Sequence, residues 1–228
     1  MNAPTLYKIL DQNCWLSPER AIYWEEEQAL IVSDLHFGKT GHFRKNGIGV
    51  PQAVYQEDLL RLVNLISFFK PSKIIAVGDL FHSVENLEME LFSKWRKDFS
   101  EMEFVLVRGN HDILLDSWYE KNNIQLEQNN YSIGPFAFVH DPNDALSNDH
   151  SSPSEEVSYI FSGHLHPGVS ISGAGKQSLH FPCFYFTQTN AILPAFSKFS
   201  GTATVKKKKG NTIFAIVNHT LIEIEKGN

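Results

Sequence analysis

The chain has 228 residues, 42% of them apolar and 20% charged, which leaves room for one large domain and excludes wholesale disorder. A net charge of −6 argues against coating nucleic acid through a basic surface of its own, although bound divalent cations would add positive charge that this count omits. No apolar run nears the ~20 residues of a bilayer crossing, residues 1–10 lack a secretory pattern, and Cys14 and Cys183 cannot build a disulfide framework, so a cytoplasmic chain with no membrane partner is expected.

In chain order, Ala21–Trp24 and Ala29–Val32 flank a polar turn and read as a β-hairpin. The second run is continuously apolar, as expected of a strand buried on both faces. Past Pro51 the period changes. Val54, Leu59, Leu62, Val63, Ile66 and Phe69 fall on one helical stripe, which Pro71 ends. A buried strand comes next at 74–77, then an amphipathic helix with Leu87, Leu91, Phe92, Trp95 and Phe99 on one side, then a strand at 104–107. This alternation predicts right-handed βαβ units and a largely parallel sheet.

The second half reads as short strands at 136–139, 159–161, 178–187, 202–205 and 212–217, separated by Gly, Pro and Asn turns. Residues 141–157 are polar and Pro/Ser-rich and read as a mobile surface loop; the lysines at 206–209 with Gly210 and Asn211 read as a charged hairpin turn. The expectation is an α/β chain of two packed sheets with helices outside, in a single domain over 1–228.

The chemistry lies just past the end of each apolar run. Val32 is followed by Ser33-Asp34-Leu35-His36, Val77 by Gly78-Asp79, and Val107 by Arg108-Gly109-Asn110-His111-Asp112. His140 comes directly after Val139, and Ser162-Gly163-His164-Leu165-His166 directly after Phe161. In a parallel α/β sheet the carboxyl ends of the strands share one edge, where ligands bind. Asp34, His36, Asp79, Asn110, His140, His164 and His166 are therefore expected to converge. In extended chain, residues i and i+2 point the same way, which would aim Asp34 with His36, and His164 with His166, at one site. Gly78, Gly109 and Gly163 would allow the tight turns this requires. Carboxylate, imidazole and amide donors without thiolates suit Mn²⁺, Fe or Zn²⁺. So many donors exceed one tetrahedral ion and suit two divalent ions sharing Asp79. Two such ions about 3.5–4 Å apart would clamp a phosphate and lower the pKa of a bridging water. Each motif alone is weak; the five together, each at a strand end, carry the case.

Read in order, Asp34-Leu35-His36, Gly78-Asp79, Gly109-Asn110-His111-Asp112, His140 and Gly163-His164-Leu165-His166 resemble the signature blocks of the calcineurin-like metallophosphoesterase superfamily. The resemblance implies a four-layer α/β/β/α sandwich, two packed mixed sheets with flanking helices, and a dinuclear site at the sheet edge. Carried over, Asp34, His36, Asp79 and His166 would hold one metal, and Asp79, Asn110, His140 and His164 the other. A narrower likeness joins Asp34-Leu35-His36-Phe37-Gly38-Lys39, Phe43-Arg44, Gly47 and Pro51 to Leu193-Pro194-Ala195-Phe196 and Phe199-Ser200-Gly201. These are similar to the bacterial ligase-associated DNA damage response endonuclease (PdeM) family and its archaeal phosphoesterase relatives. That likeness implies manganese-dependent cleavage of DNA phosphodiesters and a functional link to a DNA ligase and a helicase.

The reaction expected is in-line attack on phosphorus by a metal-bridging hydroxide, both ions taking up the developing charge. His111, beside Asn110, is assigned to transition-state stabilisation or protonation of the leaving oxygen; Asp112 either holds its tautomer or caps a helix. His82 matches a histidine of the superfamily's double-strand-break repair nucleases, which implies a proton donor; the plain alternative is an exposed loop histidine. Lys39, Arg44 and Arg108 are the basic groups offered to substrate phosphate, against a role as solvated charge. Phe37 and Phe43 suit core packing better than base stacking, and the lysine run 206–209 reads as an edge-strand guard rather than a DNA contact. His42, His150, His180 and His219 fit no block. An edge strand of the second sheet would serve a homodimer.

The competing enzyme is a phosphoesterase on cyclic nucleotides or a UDP-sugar lipid. The lipid enzymes usually carry a helical lid after the third block and Arg where His111 stands, whereas residues 113–135 here are short and largely polar. A non-catalytic scaffold would be expected to have lost a ligand, and none is missing.

Overall fold

The computed structural model describes residues 2–38, 53–82, 87–143, 158–173 and 177–225. Four antiparallel strands open the chain: β1 (Thr5–Ile9), β2 (Gln12–Ser17), β3 (Ala21–Trp24) and β4 (Ala29–Val32). The expected hairpin is β3–β4, with Ile22 opposite Ile31. The chain continues through α1 (Ala53–Phe69), β5 (Lys73–Val77), α2 (Leu87–Asp98), β6 (Glu103–Val107), α3 (Asp116–Lys121) and β7 (Gln125–Glu127). Strands β4 to β7 pair in parallel, so the first sheet is antiparallel at one side and parallel at the other.

The second sheet is built from β8 (Asn130–Ile133), β9 (Phe136–Val139), β10 (Tyr159–Ser162), β11 (Pro167–Ser172), β12 (Ser178–Phe186), β13 (Asn190–Ile192), β14 (Ala203–Thr204), β15 (Thr212–Val217) and β16 (Thr220–Glu223). Its order is β14-β11-β12-β13-β10-β9-β8, with β15 joining β12 to β16. Strand β12 changes partners at its middle: its first half pairs with β11, and Cys183 to Phe186 pair with β15. Pro182, which has no N–H to give a ladder, stands at the changeover.

Alternation along the strands places two cores. Leu30, Val32, Ile74, Ala76, Phe104 and Leu106 pack toward Leu62, Leu65, Phe92, Trp95 and Tyr119 of the helices. The intervening Ala29, Ile31, Ile75, Val77 and Val107 face Phe136, Phe138, Phe161, Phe184 and Phe186 of the second sheet. Both faces of the central strands are covered, so they read as unbroken apolar runs. The result is an α/β sandwich of two mixed sheets with flanking helices. The described helices all lie on the outer side of the first sheet. The outer face of the second, with Cys183, Tyr185, Ile192, Ile213 and Ala215, carries no helix among the described residues.

The structure adds β1, β2, α3, β7, β8, β11, β13 and β16, which sequence periodicity leaves as connections. Most are short; β7 and one edge of β13 take their bonds from strands well separated in sequence, and the other strands pair with one adjacent along the chain. Lys39, His42, Phe43, Arg44, His150 and residues 144–157 of the expected mobile loop lie outside the described residues. No described helix is long and apolar enough to cross a membrane. Cys14 and Cys183 are free and buried.

Candidate metal centre

The segments that carry the candidate ligands are stitched together beyond the ends of their strands. Asp34 N–H donates to Gly78 O at 3.1 Å, His36 N–H to Asp79 O at 2.9 Å, Phe37 N–H to Leu80 O at 2.9 Å and His82 N–H to Phe37 O at 2.9 Å. The β4–β5 pairing thus runs on through both loops. Within the second sheet, Gly163 N–H donates to His140 O at 3.0 Å, which carries the β9–β10 pairing one step further.

The backbone geometry corrects the expected extended arrangement. Asp34 (φ 53°), His36 (50°), Asp79 (51°), His164 (64°) and His166 (47°) are all left-handed. Each such residue costs on the order of 1–2 kcal/mol, and a run of them at one edge marks a functional site held by its surroundings. The glycines also do something other than turn. Gly78 does have φ 77°, but a Cβ on it would also lie 1.9 Å from His140 Nδ1. A Cβ on Gly109 would lie 2.2 Å from Asp79 Oδ1, and one on Gly163 would lie 1.9 Å from Ser33 Oγ. These positions lack side chains because His140, Asp79, Ser33 and Asp34 occupy the space.

The seven donors do come together. His166 Nε2 lies 3.1 Å from Asp34 Oδ1 and 3.4 Å from His36 Nε2. Asp79 faces both sides, with Oδ1 3.5 Å from His140 Nε2 and Oδ2 4.0 Å from His36 Nε2. Asn110 Oδ1 is 3.1 Å and His164 Nδ1 3.3 Å from His140 Nε2. Among the described residues, two triads have donor atoms close enough to share an ion: Asp34–His36–His166 and Asp34–Asp79–His140. Asp34 therefore belongs to both, a sharing that the sequence assigned to Asp79 alone.

Outer ring nitrogens fix which nitrogen faces inward. His140 Nδ1 sits 3.2 Å from Val77 O and His166 Nδ1 3.1 Å from Gly201 O, so each presents Nε2. His164 is reversed: Nδ1 points in, and Nε2 lies 3.7 Å from Asp141 Oδ2. Its N–H reaches Asp34 Oδ2 at 3.1 Å. Ser33 Oγ, 2.6 Å from Asp34 Oδ2 and 2.8 Å from Val77 O, is a support that no motif marks in the sequence, although it directly precedes the first candidate ligand. Asp141, directly after His140, is likewise unmarked.

The electrostatics fit divalent cations. Burial alone would raise the Asp79 carboxyl, but His140, the His111 N–H and His36 outweigh it and hold the pKa at about 2. Burial alone would lower His140, yet the Asp79 and Asp34 carboxylates raise it to about 9. Paired buried carboxylates that draw a proton onto a neighbouring imidazole would equally attract a metal ion, given the oxygen and nitrogen donors around them.

The remaining predicted residues divide. His111 sits at the mouth, its side chain 41% exposed, its N–H donating to Asp79 Oδ1 at 2.9 Å and its Nε2 3.9 Å from Asp79 Oδ2. Its ring lies 4.2 Å from that of His82, which is 5.3 Å from His36. Asp112 is buried and accepts Gly109 N–H at 2.9 Å and Phe81 N–H at 3.1 Å, so its carboxylate clamps two loop backbones in place of holding the His111 tautomer. Burial pushes its pKa up to about 7. Arg108 turns toward α3, paired with Asp116 and with its guanidinium 5.7 Å from the Tyr119 ring, and does not join the cluster. Phe37 is buried against Phe81 and Phe92, which is the core-packing alternative.

The profile of the family described as Calcineurin-like phosphoesterase matches residues 28–141. No curated protein matches the chain in sequence. Among solved structures, the Pseudomonas putida nuclease MPE is similar with TM-score 0.76 and 25% identity, over 93% of this chain and 96% of that one. Yfce, a phosphoesterase from E. coli, shows TM-score 0.45 and 12% identity over 86% of this chain and 97% of that one.

Proposed function

The chain belongs to the calcineurin-like phosphoesterase family, hydrolases of phosphoester bonds, and from that premise we propose that it is a two-metal phosphodiesterase acting on DNA. In this reading it is a Mn²⁺-dependent endonuclease serving DNA repair beside a ligase and a helicase. The observation that carries the reading is the meeting of Asp34 and Asp79 with four imidazoles and an amide at one sheet edge. Similarity to a nuclease over nearly the whole of both chains supports nucleic acid as the substrate class.

Asp34, His36, Asp79 and His166 would hold one divalent cation, and Asp79, Asn110, His140 and His164 the other. Bound cations would supply Lewis acidity to the phosphodiester. Carboxylate, amide and imidazole donors without thiolates suit Mn²⁺, Fe or Zn²⁺, and the likeness to the endonuclease family favours Mn²⁺ among them. The His111 ring would pass a proton to the leaving oxygen, a role its exposure at the mouth and its Nε2 3.9 Å from Asp79 Oδ2 support. His82, packed 4.2 Å from it, orients that ring and can restore its proton.

The test is a substrate panel with Mn²⁺: single-stranded DNA, duplex DNA, RNA, a 2′,3′-cyclic nucleotide and a UDP-sugar lipid. DNA hydrolysis that EDTA abolishes and Mn²⁺ restores is the expected result. Turnover confined to the lipid or the cyclic nucleotide would overturn DNA as substrate and leave the phosphodiesterase standing.

A further inference from the structure

The segment Ala195-Phe196-Ser197 crosses directly behind the Asp34 loop. Its amides point toward that loop: Phe196 N–H donates to Ser33 O at 2.7 Å and Ser197 N–H to Asp34 O at 3.2 Å. Its three consecutive carbonyls point the other way, into two guanidinium groups. Arg20 Nη1 donates to Ala195 O at 3.1 Å and Ser197 O at 2.7 Å, and Arg61 Nη2 donates to Phe196 O at 3.0 Å. Arg61 also stacks over the Phe196 ring at 4.3 Å. Two acids aim it, with Nη1 2.6 Å from Asp58 Oδ1 and Nε 3.1 Å from Glu19 Oε2.

The cluster is deeply placed, Arg61 being 7% and Asp58 3% exposed. Burial pulls the Arg20 guanidinium down to about 10 and pushes the Asp58 carboxyl up. Buried ion pairs recover little net stability, because desolvation consumes most of the Coulomb gain. Asp34, in contrast, sits in a left-handed conformation that its surroundings must impose. We propose that Arg20 and Arg61 are positioning residues for the metal centre: they lock the carbonyls of residues 195–197 so that the amides of the same segment hold Asp34 in its ligand geometry. This inference rests on reading Asp34 as a metal ligand. It also gives the Leu193-Pro194-Ala195-Phe196 segment a physical role.

The molecule contains its own control. Arg96 is 2% exposed and likewise caps carbonyls, those of Phe99, Met102 and Asn123, at the end of α2 and away from the ligand loops. The experiment measures Mn²⁺ affinity by calorimetry, and Tm in EDTA and in Mn²⁺, for wild type, D34N, R20K, R61K and R96K. R20K and R61K should lose about 10–100-fold in Mn²⁺ affinity, the usual cost of disturbing a ligand's support, and show a smaller Mn²⁺-induced rise in Tm. R96K should lower the Tm in EDTA and keep wild-type Mn²⁺ affinity.

Wild-type Mn²⁺ affinity in folded R20K and R61K would overturn the proposal. So would failure of both to fold, since the cluster would then be a general structural requirement. A wild-type chain that binds no Mn²⁺ would instead remove the metal-centre reading, and the proposal with it. Binding by wild type that D34N abolishes keeps that reading intact whatever the arginine variants do.

Discussion

The two sheets bring different chemistry to one edge. The first supplies both carboxylates and the amide, Asp34, Asp79 and Asn110, with a single imidazole from His36; the second supplies imidazoles alone, from His140, His164 and His166. They are also braced differently. The carboxylate loops are held through their backbones, by each other and by residues 196 and 197, whereas His140 and His166 are held through their outer ring nitrogens. Carboxylates on the first side and imidazoles on the second come within reach of one another only when the sandwich closes. Several contacts cross the gap: His140 Nδ1 to Val77 O, His164 N–H to Asp34, and Gly163 against Ser33.

The sharpest way to break this comparison is to remove charge from the first side. Asp79→Asn keeps the shape of a residue lying 3.5 Å from His140 and 4.0 Å from His36, and should weaken both metals and abolish turnover. Metal analysis of the purified variant, beside a phosphodiester assay, checks this; two retained ions would refute it. Next in size is His111→Ala, which removes no ligand of either side. It should keep its metal and lose roughly 10²–10⁴-fold in rate, the usual range for a general acid. Wild-type turnover would refute the role assigned to it.

Gly163→Ala attacks the seam. Its Cβ would meet Ser33 Oγ at 1.9 Å and Asp34 Oδ2 at 2.6 Å, so the histidine segment must back away from the carboxylate loop. A stability loss of about 1–3 kcal/mol by denaturant titration is expected, with reduced Mn²⁺ affinity. An unchanged isotherm would show that the two sides tolerate separation. The smallest effect should come from replacing the lysines at 206–209 with Gln. They come just after β14, an edge strand, and as edge guards they should change solubility with kcat/KM on DNA unaltered. A drop in kcat/KM that grows at low salt would make them a substrate contact instead.

The parallel part of the fold was legible because β4, β5 and β6 are buried on both faces and α1 and α2 carry clean apolar stripes. β7, β8 and β13 were not, since three or four residues hold too little period to read. The seven candidate donors could be picked out because strand ends and metal-ligating residue types coincide. The supports could not. Nothing local marks Arg61, 42 positions from Glu19 and 135 from Phe196, as bound to both. Nor does sequence say that Arg108 would turn to Asp116, or that Asp112 would spend both oxygens on backbone amides.

What the sequence determined by itself was the kind of donor at each strand end and the order in which those ends occur, because residue type and periodicity are local properties. The left-handed conformations of Asp34, His36, Asp79, His164 and His166, the choice of Nδ1 or Nε2 on each ring, and the sharing of Asp34 between two triads were decided only in the folded molecule. Each depends on a carbonyl, amide or guanidinium brought from far along the chain, and only the closed sandwich brings them within hydrogen-bonding distance.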